Sequence, residues 1–295
     1  FKQSSKPPFT PNTRPVELKI PAKSIRQIAV SGSGFSYVAT DSALLKLRSP
    51  KEGWRQVLPY NKDRSWGLRD ARAVTIDTFG RLWFATPQGV GYYDEIWHLF
   101  TGEDGLPFND FTTMAAGNSG DIWFGTTKGV IHYDGNVWEY RQGKRWLPDD
   151  YIRSIAITPN GDAWFATSNG VSVIQHKPFT LTEKAKWYED EIDRYSRRTP
   201  YEFILEVTME KPGVKQNWKQ YDSDNDGLWT SMYGAGECFA YAATGSIQAK
   251  VRAKKAFDAM VFLGDVTQGN KHSPPPGYVA RTVLPTSGPD PNIGR

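Results

Sequence analysis

The chain has 295 residues, 39% hydrophobic and 14% aromatic, enough for one large domain or two ordinary ones with real cores. Its formal charge of +4 is uneven: the first 64 residues hold 12 Lys/Arg against 4 Asp/Glu, yet basic runs never exceed two, which excludes a nucleic-acid footprint. A single cysteine, Cys238, excludes a disulfide framework and a CxxC metal site, and no apolar run approaches the roughly 18 residues of a membrane span.

Residues 1–26 form a basic, Pro-rich arm, suited to an acidic partner such as an anionic glycan or to a solvated, weakly ordered role. The chain starts at Phe1 instead of Met, which a removed leader or an excised fragment would both explain. From residue 27 to 182 the sequence repeats itself. "GRLWFATPQGVGYYD" (80–94) returns as "GDIWFGTTKGVIHYD" (120–134) and as "GDAWFATSNGVSVIQ" (161–175). Trp83, Trp123 and Trp164 lie 40 and 41 residues apart, and "GFSYVATDSALLKL" puts Tyr37 in the same place 46 residues before Trp83. The second copy reads as four short strands, Ala73–Asp77, Leu82–Thr86, Val90–Tyr93 and Trp97–Phe100, separated by Gly-, Pro- and Asp-rich turns. Gly89, Gly129 and Gly170 each precede a Val, where a tight turn calls for positive φ. Four strands per 40 to 46 residues is the spacing of a β-propeller blade, and stacking blades buries both faces of each sheet. The repeated Tyr37, Trp83, Trp123 and Trp164 are therefore expected to pack blade on blade, with sugar stacking as the other use of such a ring.

"DGLPFNDFTTMAAGNSGDIWFGTTKGVIHYDGNVWEY" (104–140) resembles the two-component-regulator propeller repeat, through Gly105-Leu106-Pro107, Gly120, Trp123, Gly125-Thr126, Gly129-Val130 and Asp134-Gly135 with Trp138. The resemblance covers about residues 27 to 182. It implies a propeller that serves as a recognition platform in extracellular sensor regions or secreted carbohydrate-related proteins. Four copies are countable, where such propellers usually have seven or more, so the expectation is a small four-bladed ring or part of something larger.

After Thr182 the period stops, and residues 183–295 read as α-rich. Thr180 with Glu183 forms a capping box ahead of a charged helix, and "YEFILEVTMEKPGVKQNWKQY" reads as two extended stretches around Pro212-Gly213. Two helices follow, at about Leu228–Ala243 and Ser246–Leu263. Their apolar residues Leu228, Met232, Phe239 and Ala243, then Ala249, Ala253, Ala256, Met260 and Leu263, keep helical spacing. A Pro- and Gly-rich tail ends the chain. The stretch 210–245 is similar to the start of uncharacterised α/α-toroid-like domains, through Lys211-Pro212-Gly213, Asp224 to Thr230 and Tyr241-Ala242 with Thr244-Gly245. "PPPGYVARTVLP" continues the match. The resemblance implies a longer helical-hairpin domain, with Arg295 not its natural end.

Asp222-Ser-Asp224-Asn-Asp226-Gly227 sets carboxylates at alternate positions before a Gly, a curved oxygen-rich loop of the kind Ca²⁺ prefers. Tyr233 stands where an EF-hand requires Glu, so a dockerin-like or irregular calcium loop is expected, completed by Glu237 or a backbone carbonyl. Helix capping by Asp224 and Asp226, or a catalytic carboxylate, are the alternatives. Trp229, Tyr233 and Arg281 are candidate ligand contacts, and Trp229 has the ring to stack on a pyranose or to fill a helix core. His98 and His132 fall on blade strands, and the place of His132 is taken by Tyr92 and Val173 in sister blades, which points to packing. His176 and His272 complete the histidines. Cys238 reads as a buried structural thiol. No nucleotide-binding motif is present in the sequence.

Three functions fit these residues: an extracellular, glycan-directed recognition protein with a calcium-stabilised helical domain; a homo-oligomeric structural subunit of an extracellular assembly; or a polysaccharide lyase or hydrolase. An acidic polysaccharide is the expected partner.

Overall fold

The computed structural model describes residues 17–58, 60–61, 64–65, 68–221 and 224–288. The chain divides into two compact units, Phe1–His176 and Lys177–Arg295.

The first unit is a four-bladed β-propeller segment. Its first blade consists of β1 (Ile25–Val30), β2 (Ser36–Thr40), β3 (Leu44–Leu47) and β4 (Arg55–Gln56), followed by a short ladder of β5 (Tyr60–Asn61) and β6 (Arg64–Ser65). The second holds β7 (Ala73–Ile76), β8 (Leu82–Thr86), β9 (Gly89–Asp94) and β10 (Ile96–Phe100). The third holds β11 (Phe111–Ala116), β12 (Ile122–Thr126), β13 (Gly129–Tyr133) and β14 (Trp138–Arg141). Among the described residues the fourth blade has three strands, β15 (Ile152–Ile157), β16 (Ala163–Thr167) and β17 (Gly170–Ile174). Each blade is an antiparallel meander, and the first strands lie side by side in the order β1, β7, β11, β15.

Successive side chains in a strand point to opposite faces. The Trp-Phe pairs of the second and third blades therefore face two ways, Phe toward the preceding blade and Trp toward the next. Trp83 meets Phe124 and Tyr133 at ring separations of 6.4 and 6.1 Å, and Trp123 meets Phe165 at 5.4 Å. Both indoles are 1% exposed, whereas Trp164 is 44% exposed. The indole N–H of Trp83 donates to Asp77 Oδ2 at 2.8 Å, so its one polar atom is satisfied inside the core.

The Gly-Val corner has two causes. Gly89 and Gly129 adopt φ of +148° and +126°, and a Cβ there would lie 2.2 Å from the Phe100 carbonyl oxygen and 2.5 Å from that of Arg141. The corner is also tied internally: the hydroxyls of Thr86, Thr126 and Thr167 donate to the carbonyls of Gly89, Gly129 and Gly170 at 3.2, 2.7 and 2.8 Å.

The second unit opens with α1 (Leu181–Glu191), started by the Thr180–Glu183 capping box. A π-turn over Ile192–Ser196 leads into β18 (Arg197–Arg198), which pairs with β19 (Phe203–Ile204). The hairpin β20 (Glu206–Met209) and β21 (Trp218–Tyr221) spans Pro212-Gly213. Helices α2 (Asp226–Thr244) and α3 (Ile247–Asp265) form a hairpin turning at Gly245, φ +68°. They pack through small residues: a Cβ on Gly234 would lie 2.8 Å from the Cβ of Ala256. Phe203, Ala259 and Leu263 make the core, with Ala280 and Val283 of the tail against it.

Two expectations for this unit are corrected. The apolar stripe of α2, Leu228, Met232 and Phe239, is exposed, and the buried face carries Asp226, Thr230 and Glu237. Cys238 is exposed, not buried: residues one step apart on a helix point about 100° apart, and Glu237 takes the inward direction.

Candidate functional site

The second unit carries a cleft of 230 Å³ between α1, the π-turn and the β20–β21 hairpin, lined by Tyr188, Glu191, Ile192, Tyr195, Ser196, Val207, Met209, Lys215 and Trp218. Helical spacing on α1 and the turn puts Tyr188, Glu191, Ile192 and Tyr195 on one side, and the hairpin brings Met209, Lys215 and Trp218 to the other. Tyr195 meets Trp218 edge to face at 5.4 Å. The Lys215 ammonium lies 5.5 Å from the Tyr195 ring and 5.4 Å from that of Trp187, and pairs with Glu191. A concave, mostly apolar wall with a few convergent polar groups is how small-molecule sites are built.

Glu189 of the same helix joins a charged network that includes α2 and α3. The Tyr233 hydroxyl donates to Glu189 Oε2 at 2.8 Å and accepts from Arg197 at 3.0 Å. Arg252 pairs with Glu189 at 3.0 Å and donates to Asp193 at 2.8 Å, while Arg197 Nε reaches Asp193 at 2.7 Å. Glu237 belongs to this network. Burial, then the hydrogen bond and charge of Glu189, push its carboxyl up to about 7, against the pull of Arg252 and Arg197. Burial and Glu189 also raise the Tyr233 phenol. The result is a carboxylic acid able to hold a proton near neutral pH beside two guanidinium groups.

The acidic loop before α2 is arranged differently. Asp226 is fully buried, and its Oδ2 pairs with Arg198 and accepts from the Thr282 hydroxyl at 2.9 Å and the Val283 amide at 3.0 Å. Its Oδ1 has no hydrogen-bond partner. Asp224 turns the chain at φ +59°, and its carbonyl accepts from Arg281 Nε at 3.1 Å. The N-cap of α2 is Asn225, which makes no side-chain capping bond. Asp222 lies outside the described residues. Glu237 stands about 16 Å along the helix from Asp226 at 1.5 Å per residue, so the two do not share one coordination shell. Among the described residues no group of three His, Cys, Asp or Glu side chains converges as a metal cluster. Trp229 is half-buried with its indole N–H unpartnered, and Arg281 lines a separate, largely apolar cleft with Leu228, Met260 and Val279.

Structure thus brings Tyr233 and Glu237 together, and Asp224, Asp226 and Arg281 together, but as two groups. Tyr188, Tyr195, Lys215 and Trp218 were not singled out by sequence, nor were Glu189, Arg197 and Arg252. The available signal was the spacing of four between Tyr233 and Glu237, and again between Glu189 and Asp193, which sets each pair on one helix face.

In the third blade, His132 is buried against Trp123 with ring centres 4.2 Å apart, and both its nitrogens reach carboxylates: Nε2 to Asp121 at 3.0 Å, Nδ1 to Glu139 at 3.1 Å. Burial alone would lower the imidazole pKa, but the hydrogen bonds and charges of Asp121 and Glu139 raise it. His98 stacks on Tyr92 at 4.3 Å, and the His176 ring lies 5.9 Å from that of His132. His272 sits in the tail, its amide donating to Asn270 Oδ1.

Residues 147–169, spanning β15 and β16, match the two component regulator propeller family. The fourth blade carries a repeat of that family. No curated protein matches the chain. Solved structures with similar propeller segments include the extracellular domain of a hybrid two component system of B. thetaiotaomicron, at 23% identity and a TM-score of 0.43 over 50% of this chain and 21% of that one. PorZ, a surface component of the type-IX secretion system of Porphyromonas gingivalis, aligns at 20% identity and 0.39 over 50% and 24%. Virginiamycin B lyase from Staphylococcus aureus aligns at 14% and 0.43 over 57% and 58%. The chain spans about a fifth of the length of that extracellular domain. No described helix is long and apolar enough to cross a membrane.

Proposed function

We propose that this is an extracellular recognition protein that binds carbohydrate, with preference for acidic glycans, in the aromatic cleft of its second unit. The observation that carries the reading is the cleft itself: Tyr188, Tyr195 and Trp218 offer flat apolar rings of the kind sugar faces stack on, and Lys215 stands among them as a cation. The propeller repeat supports the extracellular, recognition side of the proposal. Binding of uronate-containing and neutral oligosaccharides, followed by calorimetry and tryptophan emission, tests it. We expect saturable binding that weakens about tenfold or more in Trp218→Ala and shifts toward neutral sugars in Lys215→Gln. No binding across such a panel, or binding indifferent to Trp218, overturns it.

A second reading rests on Glu237, an acid poised near neutrality beside Tyr233 and Arg197. Under it the protein cleaves an acidic polysaccharide by lysis or hydrolysis. Ultraviolet absorbance and reducing ends should then appear with wild type and vanish with Glu237→Gln. Bound glycan recovered intact removes this reading and leaves the first.

Calcium at the loop 222–226 is a separate proposal, supported by the unpartnered Oδ1 of Asp226. Chelation is then expected to lower the melting temperature of the second unit. An unchanged temperature would leave Arg198 and Arg281 as the loop's counter-charges.

A further inference from the structure

Among the described residues that line the aromatic cleft, Glu191 supplies the one carboxylate and Lys215 the one ammonium, and the two are paired with each other. Glu191 is held in this position by the helical period. Tyr188, Glu191, Ile192 and Tyr195 recur at intervals of three and four, which sets them on one side of α1 and the turn that continues it. The alternate side of the same segment carries Glu189 and Asp193, and both are engaged by Arg252 behind the cleft. Glu191 takes no part in that network. Its bond is to Lys215 on the hairpin opposite.

The hairpin does not need this ion pair to stay in place. The Gln220 side-chain amide donates to the carbonyls of Tyr195 at 3.0 Å and Arg197 at 2.6 Å, and Trp218 packs edge to face on Tyr195. Lys215 can therefore change partner while both walls of the cleft persist. The pair is partly exposed, with 44% of the Lys215 side chain and 27% of that of Glu191 open to solvent, so separating it costs little. A second carboxylate arriving at the ammonium must either displace Glu191 or sit beside a like charge, and both cost affinity.

We propose that Glu191 is a specificity-determining residue of the cleft: it occupies Lys215 when the site is empty and competes for it with the carboxylate of an acidic glycan. The inference rests on the carbohydrate reading of the cleft and adds the residue that sets its selectivity. A simple anion meets a cation already neutralised and brings no ring-stacking face to offset the displacement. A neutral sugar can stack on Tyr195 and Trp218 without disturbing the pair. A uronate does both, gaining the rings and exchanging one carboxylate for another on Lys215. The pair thus discriminates against anions that lack a sugar face, at the expense of some affinity for the ligand itself.

Calorimetry of the full chain at low ionic strength, with oligogalacturonides and the same oligomers reduced at the carboxyl to neutral sugars, tests it. Glu191→Gln should bind the uronate oligomers about two- to fivefold more tightly than wild type, the range of a partly exposed ion pair, and the neutral ones equally well. Lys215→Gln should weaken uronate binding, and adding Glu191→Gln to it should bring no gain. Asp190→Asn removes the same charge one residue away, from a side chain that pairs with Lys186 at 2.8 Å, and should change neither affinity. Weaker uronate binding in Glu191→Gln would show that Glu191 holds the sugar itself, and overturns the proposal. So does a gain that persists without Lys215, or an equal gain in Asp190→Asn, since either is an effect of net charge alone. Uronate binding that depends on Trp218 but is indifferent to Glu191 removes this inference and leaves the carbohydrate reading. No binding of either oligomer by wild type or Glu191→Gln removes both.

Discussion

His132 shows how a single side chain can set a pH window. Protonated, it donates from both nitrogens to Asp121 and Glu139, and Arg141 donates to the same Glu139 oxygen at 3.0 Å. Its pKa in the folded protein lies above the ordinary imidazole value, so its contribution to stability is complete below that value and is lost as pH rises through the raised one. Asp121 is lowered, chiefly by its hydrogen bond to His132. Glu139 is raised by burial but lowered on balance by His132 and Arg141. Their contributions are present above the ordinary carboxylate range and fade as pH falls through the lowered values. The propeller should thus be most stable between the carboxylate range and the raised imidazole value. Melting temperature against pH, wild type beside His132→Gln, measures this: the alkaline-side decline should flatten in the variant. The expectation that His132 is a packing residue did not extend to the carboxylates, because Asp121 comes from the turn before β12 and Glu139 from β14, and the spacing alone does not specify which of their side chains meet the ring.

At the scale of elements, α2 carries the clearest physical lesson. Its buried stripe, Asp226, Thr230, Tyr233 and Glu237, is polar, and each member finds a partner on neighbouring backbone or side chains. Asp226 meets Arg198 and the tail, Thr230 accepts from the Ile204 amide at 3.0 Å, and Tyr233 and Glu237 meet Glu189. Buried polar groups are tolerable only when so paired. Asp226 knots three segments together: the start of α2, β18 through Arg198, and the tail through Thr282 and Val283. Replacing it by Ala leaves a largely buried guanidinium uncompensated, and should destabilise the second unit by about 3–5 kcal/mol. Chemical denaturation can read this, and the paired variant Asp226→Leu with Arg198→Met should recover much of the loss. The helical period was legible in the sequence. Which side of the helix faces inward was not, because Leu228, Met232 and Phe239 look like a core stripe until the partners of the polar side are known.

The whole molecule is expected to respond to pH as two bodies. The chain divides at His176, and the titrating groups that matter for stability fall on different sides: His132 in the first unit, Glu237 in the second. Glu237 favours its neutral form when folded, with a pKa raised from 4.5 to about 7, so the second unit should lose stability as pH rises across that interval. With rising pH, the first unit should begin to decline only above the ordinary imidazole value. Scanning calorimetry should resolve two transitions with these separate pH dependences. Glu237→Gln should flatten only the lower-pH loss, and His132→Gln only the higher. A single transition that both variants move together would contradict the division.

What the sequence determined by itself is whatever repeats or is local. A Trp every 40 or 41 residues, a Gly-Val corner that forbids a Cβ and a Thr180–Glu183 cap act within one blade or one turn, so their spacing is enough to read the propeller and the helices. What the tertiary structure decided is everything that needs partners from distant segments. It gathered Tyr188, Tyr195, Lys215 and Trp218 into one cleft, tied Asp226 to Arg198 and the tail, and brought Glu237 to Glu189. It also separated Trp164 from Trp83 and Trp123, which share its motif: a strand fixes which face a side chain points to, and only the neighbouring blade determines whether that face is covered.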